Sequence, residues 1–260
     1  MPYVVLNDIQ LHYALDGDAH KPVLILSNSL GTSMEMWLPQ LERLSRHYRV
    51  LRYDTRGHGK STVTPGPYAT AQLAGDVIAL MDHLQIAQAH FCGLSMGGQT
   101  GMWLAIHHPK RLRKLVLSNT AAYIGPPDNW NARVDAVQKN GIAPLADAIV
   151  SRWLTPEFAR QHPRNVEHLL AMLKATPPVG YAAGCIAVRD ADLREQVRKI
   201  TTPTLVISGS ADLPTPPPDG RYLQQQIAGA RYVELAAAHL SNQECVDEFN
   251  DAVLEFLARL

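Results

Sequence analysis

The pentapeptide Gly93-Leu94-Ser95-Met96-Gly97 constrains this chain more than any other feature. It follows AHFC, an apolar run that reads as a buried strand, and opens GQTGMWLAIHH, which reads as a helix. A G-x-S-x-G at such a junction requires a turn so tight that a Cβ at either flanking position would strike neighbouring backbone, hence the two glycines. The turn lifts the serine hydroxyl clear of a sheet and sets the N-terminus of a helix beneath it, where amides meet developing negative charge. Ser95 is therefore a candidate nucleophile; the bland alternative is a Gly-rich turn with an incidental serine.

The rest of the chain supplies the sheet. Tyr3 to Asn7 and Gln10 to Asp16 read as a hairpin joined at Asn7-Asp8, and VLILS, YRVLRY, AHFCGL, RKLVLS, TLVIS and RYVEL are short apolar runs suited to strands buried on both faces. Helical patterns alternate with them, at Met36 to Leu44, from a Thr70 cap to Leu84, and at Val246 to Leu260. This predicts an α/β fold: a mostly parallel, eight-stranded sheet with helices on both faces. Between about Ala121 and Arg194 the alternation stops, and helical patterns broken by Pro144, Pro156, Pro163 and Pro177-Pro178 replace it. We read 1–120 and 195–260 as one core domain and 121–194 as a helical cap inserted after the sixth strand; Pro214 to Pro218 reads as a turn.

Composition narrows the function classes. Twenty-four basic residues balance twenty-four acidic ones, so the charge footprint of a nucleic-acid binder is missing. No window is long and apolar enough for a membrane span, and the N-terminal stretch lacks the basic and apolar segments of a secretion signal. Three widely spaced cysteines, Cys92, Cys185 and Cys245, fit a reducing compartment better than a disulfide framework, and the reading is cytoplasmic. No metal-binding or cofactor motif occurs, so no metal and no cofactor are expected. Cys92 lies in an apolar strand and reads as an inert core residue.

A serine needs a base and an orienting acid, in the chain order Ser, Asp/Glu, His. Asp212 follows TLVISG, and His239 follows RYVELA, each at the carboxyl end of a strand, where such folds assemble sites. Asp190, Asp192 and Asp219 are rival carboxylates, whereas His107 and His108 read as the end of the helix after Ser95. An oxyanion hole needs two backbone amides: Met96 offers one, and Leu30 in Ser27-Asn28-Ser29-Leu30-Gly31 the other, with Gly31 letting backbone approach the substrate. Asp54 and Arg56 read as residues that pin loops by hydrogen bonds.

Over its whole length the chain resembles the α/β-hydrolase superfamily and, within it, the bacterial 3-oxoadipate enol-lactonases. The resemblance rests on LSNSLGTS, LRYDTRGHGKS, FCGLSMGGQTG, LSNTAAYIG, DNWNARV, ATPPVGYAAGCIAVRDADLR and AAAHLSN. NSLG stands where HG-x-x is commoner in the superfamily, and Leu213-Pro214 follows Asp212 where a polar residue is frequent. The resemblance implies cofactor-free opening of a small-molecule lactone in aromatic-compound degradation, with Ser95, Asp212 and His239 as the triad. Such a substrate carries a free carboxylate; Arg133 beside Trp130 is the candidate to bind it, with Arg152 and Arg189 as substitutes. A general carboxylesterase or perhydrolase with the same triad, and a ligand receptor on this fold, are the competing readings. The sequence leaves the oligomeric state open.

Overall fold

The computed structural model describes residues 2–6 and 8–258. In chain order the elements are β1 (Tyr3–Leu6), β2 (Ile9–Asp16), β3 (Val23–Ser27), α1 (Leu38–Leu44), β4 (Arg49–Tyr53), α2 (Thr70–His83), β5 (Ala89–Leu94), α3 (Met96–His107) and β6 (Leu112–Ser118). Five helices follow: α4 (Pro127–Asn140), α5 (Ala146–Val150), α6 (Pro156–Gln161), α7 (Pro163–Ala175) and α8 (Pro178–Asp190). The chain then runs through β7 (Thr204–Gly209), α9 (Pro217–Gln226), β8 (Arg231–Leu235), α10 (Ser241–Glu244) and α11 (Val246–Ala258).

The eight strands form one sheet in the order β1-β2-β4-β3-β5-β6-β7-β8. β2 pairs antiparallel with β1 and with β4; every other neighbouring pair is parallel. Leu6 faces Ile9 across the expected hairpin, and Asn7 of its turn lies outside the described residues, as does Leu260 at the end of the last expected helix. The chain passes from β3 outward to β4 and then returns to the other side of β3 to form β5. That reversal opens a crevice beyond the carboxyl ends of β3 and β5, the standard location of a site in such sheets.

Period-two alternation divides the core. On β5, Cys92 and Leu94 face one apolar cluster while Ala89 and Phe91 face the other. β3 splits likewise into Leu24 and Leu26 against Ile25, and β7 into Leu205 and Ile207 against Val206. Both faces are covered, which is why these strands are apolar throughout rather than alternating with polar residues. Each leucine, isoleucine, valine or phenylalanine among them, withdrawn from water, contributes about 1.5–3 kcal/mol. Val134 and Val137 of α4, Leu169 and Leu173 of α7 and Tyr181 of α8 join the cluster that holds Leu24 and Leu26. The helical stretch between β6 and β7 thus buries its apolar faces on the sheet's own core.

Three local expectations are corrected. Thr70 does not cap α2: Ala69 holds the cap position in an extended conformation, and the Thr70 hydroxyl, already in the helix, reaches the Ala187 carbonyl. The run from Met36 begins earlier, as a 3-10 turn over Met34–Trp37, because the Ser33 side chain accepts from the Glu35 amide; α1 starts only at Leu38. The proline cluster is not wholly a turn, since Pro217 and Pro218 open α9, where a missing N–H and a fixed φ cost nothing. As expected, Asp54 and Arg56 pin loops. Arg56 pairs with both Asp8 and Asp76, and Asp54 accepts from the Met34 and Lys60 amides and contacts the His12 ring at 2.7 Å.

Candidate active site

Ser95 joins β5 to α3 with φ 57° and ψ −114°, a left-handed backbone that a serine adopts only under constraint. A Cβ on Gly93 would overlap the Gly97 carbonyl, and one on Gly97 would overlap the Ser27 carbonyl at the end of β3. Both glycines are therefore required by the turn. The Ser95 N–H donates to the Ser118 carbonyl and the Thr120 hydroxyl donates to the Ser95 carbonyl, which fixes the strained residue to the end of β6.

The other predicted residues converge on it. Ser95, Leu30 and His239 line one pocket with Trp130, Arg133 and Arg152. Nδ1 of His239 lies 3.0 Å from both Asp212 oxygens, and both side chains are buried. Burial alone would raise the Asp212 carboxyl. The charge of His239, with hydrogen bonds from His239, Thr215 and Asn119, outweighs that and holds it below the ordinary carboxylate value. Two rivals are engaged elsewhere, Asp190 with Arg189 and Asp192 with Arg194, both at the surface; Asp219, in the first turn of α9, makes no hydrogen bond to His239, and burial together with the charge of Asp212 raises its carboxyl. Such an acid fixes the imidazole tautomer with Nε2 free to take a proton. Ser95 Oγ makes no hydrogen bond among the described residues; in serine hydrolases the contact between nucleophile and base is often long without substrate and tightens when it binds.

Neither the Leu30 nor the Met96 N–H donates to another group among the described residues. With Met96 as the first residue of α3, the two amides and the helix N-terminus can meet an oxyanion beside Ser95. Gly31 has φ 79°, a backbone that favours glycine. A Cβ there would come within 2.7 Å of Leu173 and 2.9 Å of Tyr181, so the glycine also admits α7 and α8 against the loop that follows β3.

The pocket wall comes from the stretch after β6. Trp130 donates from its indole nitrogen to the Ile124 carbonyl, and the Arg133 guanidinium stands 5.1 Å from the Trp130 ring centre. Burial pushes the Tyr181 hydroxyl and the Cys185 thiol beside Arg133 upward, the thiol to about 12, so both stay neutral. Among the described residues Arg133 and Arg152 form no ion pair. Arg189 is not in the pocket and is spent on Asp190 and Asn131. Two residues next to the site escape sequence reasoning. Thr215 donates to Asp212 from both its backbone N–H and its hydroxyl, and Asn119 donates to the same carboxylate. Cys92 is fully buried, with its thiol pushed well up by burial, in keeping with a core role.

A family model for the alpha/beta hydrolase fold matches residues 22–244, and the chain belongs to that family. It is 46% identical to 3-oxoadipate enol-lactonase 2 of Acinetobacter baylyi, over 97% of this chain and 95% of the relative. The identity to 3-oxoadipate enol-lactonase 1 of the same organism is 41%, over 92% and 90%. The crystal structure of the enol-lactonase from Burkholderia xenovorans superposes with a TM-score of 0.98 at 49% identity, covering 99% of this chain and 100% of that one.

Proposed function

We infer that this chain is a serine hydrolase that opens the lactone ring of 3-oxoadipate enol-lactone to give 3-oxoadipate. The observation that carries the reading is the full-length similarity to enol-lactonases, joined to a pocket lined by a serine, a histidine and two arginines that form no ion pair among the described residues.

In this reading Ser95 Oγ attacks the lactone carbonyl while His239 takes its proton, and the Leu30 and Met96 amides hold the resulting oxyanion. Collapse of the tetrahedral intermediate breaks the ring C–O bond. The leaving oxygen departs as an enolate on the same molecule, the proton held by His239 is returned to it, and the enol tautomerises, with the proton ending on carbon, to a ketone; a ketone oxygen is a far weaker nucleophile than an alkoxide, so the ring does not reclose. Water, deprotonated by His239, then cleaves the Ser95 ester and releases a carboxylate with regeneration of the hydroxyl. Asp212 keeps the imidazole oriented and stabilises it when charged. The substrate's own carboxylate meets Arg133, with Arg152 within the same wall, and Trp130 supplies an apolar face. The 121–194 stretch acts as the cap that shields this chemistry from bulk water. Three unpaired cysteines suit a reducing cytoplasm.

The test is a comparison of kcat/KM for freshly generated enol-lactone, followed by loss of its ultraviolet absorbance, with kcat/KM for p-nitrophenyl acetate. The lactone should be preferred by at least about 100-fold, the discrimination expected when a site built for a charged group meets a substrate lacking it. Preference for the simple ester, or efficient peracid formation, would instead identify a general esterase or perhydrolase.

A further inference from the structure

The segment Ser118-Asn119-Thr120, inside the LSNTAAYIG motif, reaches all three residues of the proposed triad at once. Ser118 and Thr120 hold the backbone N–H and carbonyl of Ser95. Between them Asn119 is fully buried, with φ 45°, and its amide nitrogen donates to Asp212 Oδ2 at 2.9 Å and to the carbonyl of Ala238, the residue before His239, at 3.1 Å. Its amide oxygen accepts from the Ser118 hydroxyl at 2.8 Å and the Ser241 hydroxyl at 2.6 Å. All four hydrogen-bonding positions of the side chain are used. Since a carboxylate and a carbonyl can only accept, the NH2 must face Asp212, and the two hydroxyls occupy the oxygen; the amide has one orientation. Saturation of this kind is not general here, because Gln99 and Asn250 are buried with both amide atoms unbonded.

We propose that Asn119 is a positioning residue for the hydrolytic reaction, its amide clamping the Asp212 carboxylate and the backbone entering His239 so that acid and base keep their alignment with Ser95. The proposal rests on the triad reading given above. An asparagine could also stand here merely because it tolerates a left-handed backbone. Asn119→Gly separates the two, since glycine accepts that conformation and deletes only the amide. With active enzyme counted by phosphonate titration, Asn119→Gly should lower kcat by about 10- to 100-fold, as for loss of a hydrogen bond to a charged group, with KM changed less than threefold.

In an Asp212→Ala background the same substitution should cost less than about threefold, because its partner carboxylate is gone; a purely structural residue would cost the same in both backgrounds. Asn119→Asp keeps the shape but turns a carboxylate toward Asp212, and at pH 8 should cost at least as much as Asn119→Gly. Wild-type kcat in either Asn119 variant, or equal losses with and without Asp212, overturns the proposal. Full activity of Asp212→Ala by itself would overturn the triad reading instead.

Discussion

Nδ1 of His239 sits equidistant, at 3.0 Å, from the two oxygens of Asp212, and Thr215 and Asn119 donate to that carboxylate from its other sides. The acid is therefore held on every side in a buried pocket, and its negative charge is kept where an imidazolium would form. Asp212→Asn should leave the fold intact and reduce kcat by about 10³- to 10⁴-fold. Asp190→Asn, which breaks only an exposed pair with Arg189, should stay within about twofold of wild type. Steady-state kinetics of both variants check this; a severe Asp190→Asn beside a mild Asp212→Asn would reassign the acid.

Arg133 and Arg152 share the pocket wall and lack acidic partners among the described residues, and in the proposed reaction they would meet the free substrate carboxylate. Arg133→Met should reduce kcat/KM for the enol-lactone by about 2–4 kcal/mol of transition-state binding, and for a neutral p-nitrophenyl ester by much less. Arg189→Met should affect neither. Equal losses on both substrates would make Arg133 a support for α4, and Arg152→Met would then have to show the selective loss.

Gly97 and Gly75 form a contrasting pair. A Cβ on Gly97 would overlap the backbone of Ser27, whereas one on Gly75, inside α2, meets nothing within 4 Å. Gly97→Ala should lower stability by at least about 2 kcal/mol, because the obstacle is backbone that cannot rotate away. Gly75→Ala should raise stability by about 0.5–1 kcal/mol through helix propensity. Urea unfolding midpoints measure both, and a stable Gly97→Ala would refute the packing account of the turn.

His90 gives the fold a defined acid sensitivity. Burial, with the charges of Arg113 and Lys114 nearby, lowers its folded value from 6.5 to about 4. Between those two values the unfolded chain binds a proton that the native state does not, so stability falls as pH drops from 6.5 to about 4. Above the window the residue is neutral in both states, and below it the loss is complete. His90→Leu, which replaces the imidazole packed edge-on to Tyr48 with an apolar side chain, should make Tm fall less steeply across that window than in wild type. An unchanged slope would place the sensitivity elsewhere.

Much of the architecture is legible in the sequence because its signals are geometric. Continuous apolar runs of strand length locate β3 to β8, and the hairpin signal at the N-terminus locates β1 and β2. The glycines around Ser95 encode the backbone clash that each avoids. What escapes depends on partners that a linear pattern does not name. Thr70 has the chemistry of a cap, but the cap position falls to Ala69. Arg133, Arg152 and Arg189 look alike in the sequence; only the fold reveals that Asp190 neutralises the third and that the other two face the pocket. Asn119 has no motif of its own, and its one local trace, a positive φ, becomes visible only with coordinates.

The central claim is that lactone opening passes through Ser95. A fluorophosphonate should add one label per chain, mapped to Ser95 by peptide mass analysis, and enol-lactone turnover should fall in proportion to labelling until it is abolished. Ser95→Ala should take up no label and lose kcat by about 10⁴-fold or more while keeping the wild-type unfolding midpoint. Lactone turnover that survives complete labelling, or a label on any other residue that abolishes it, would contradict the account.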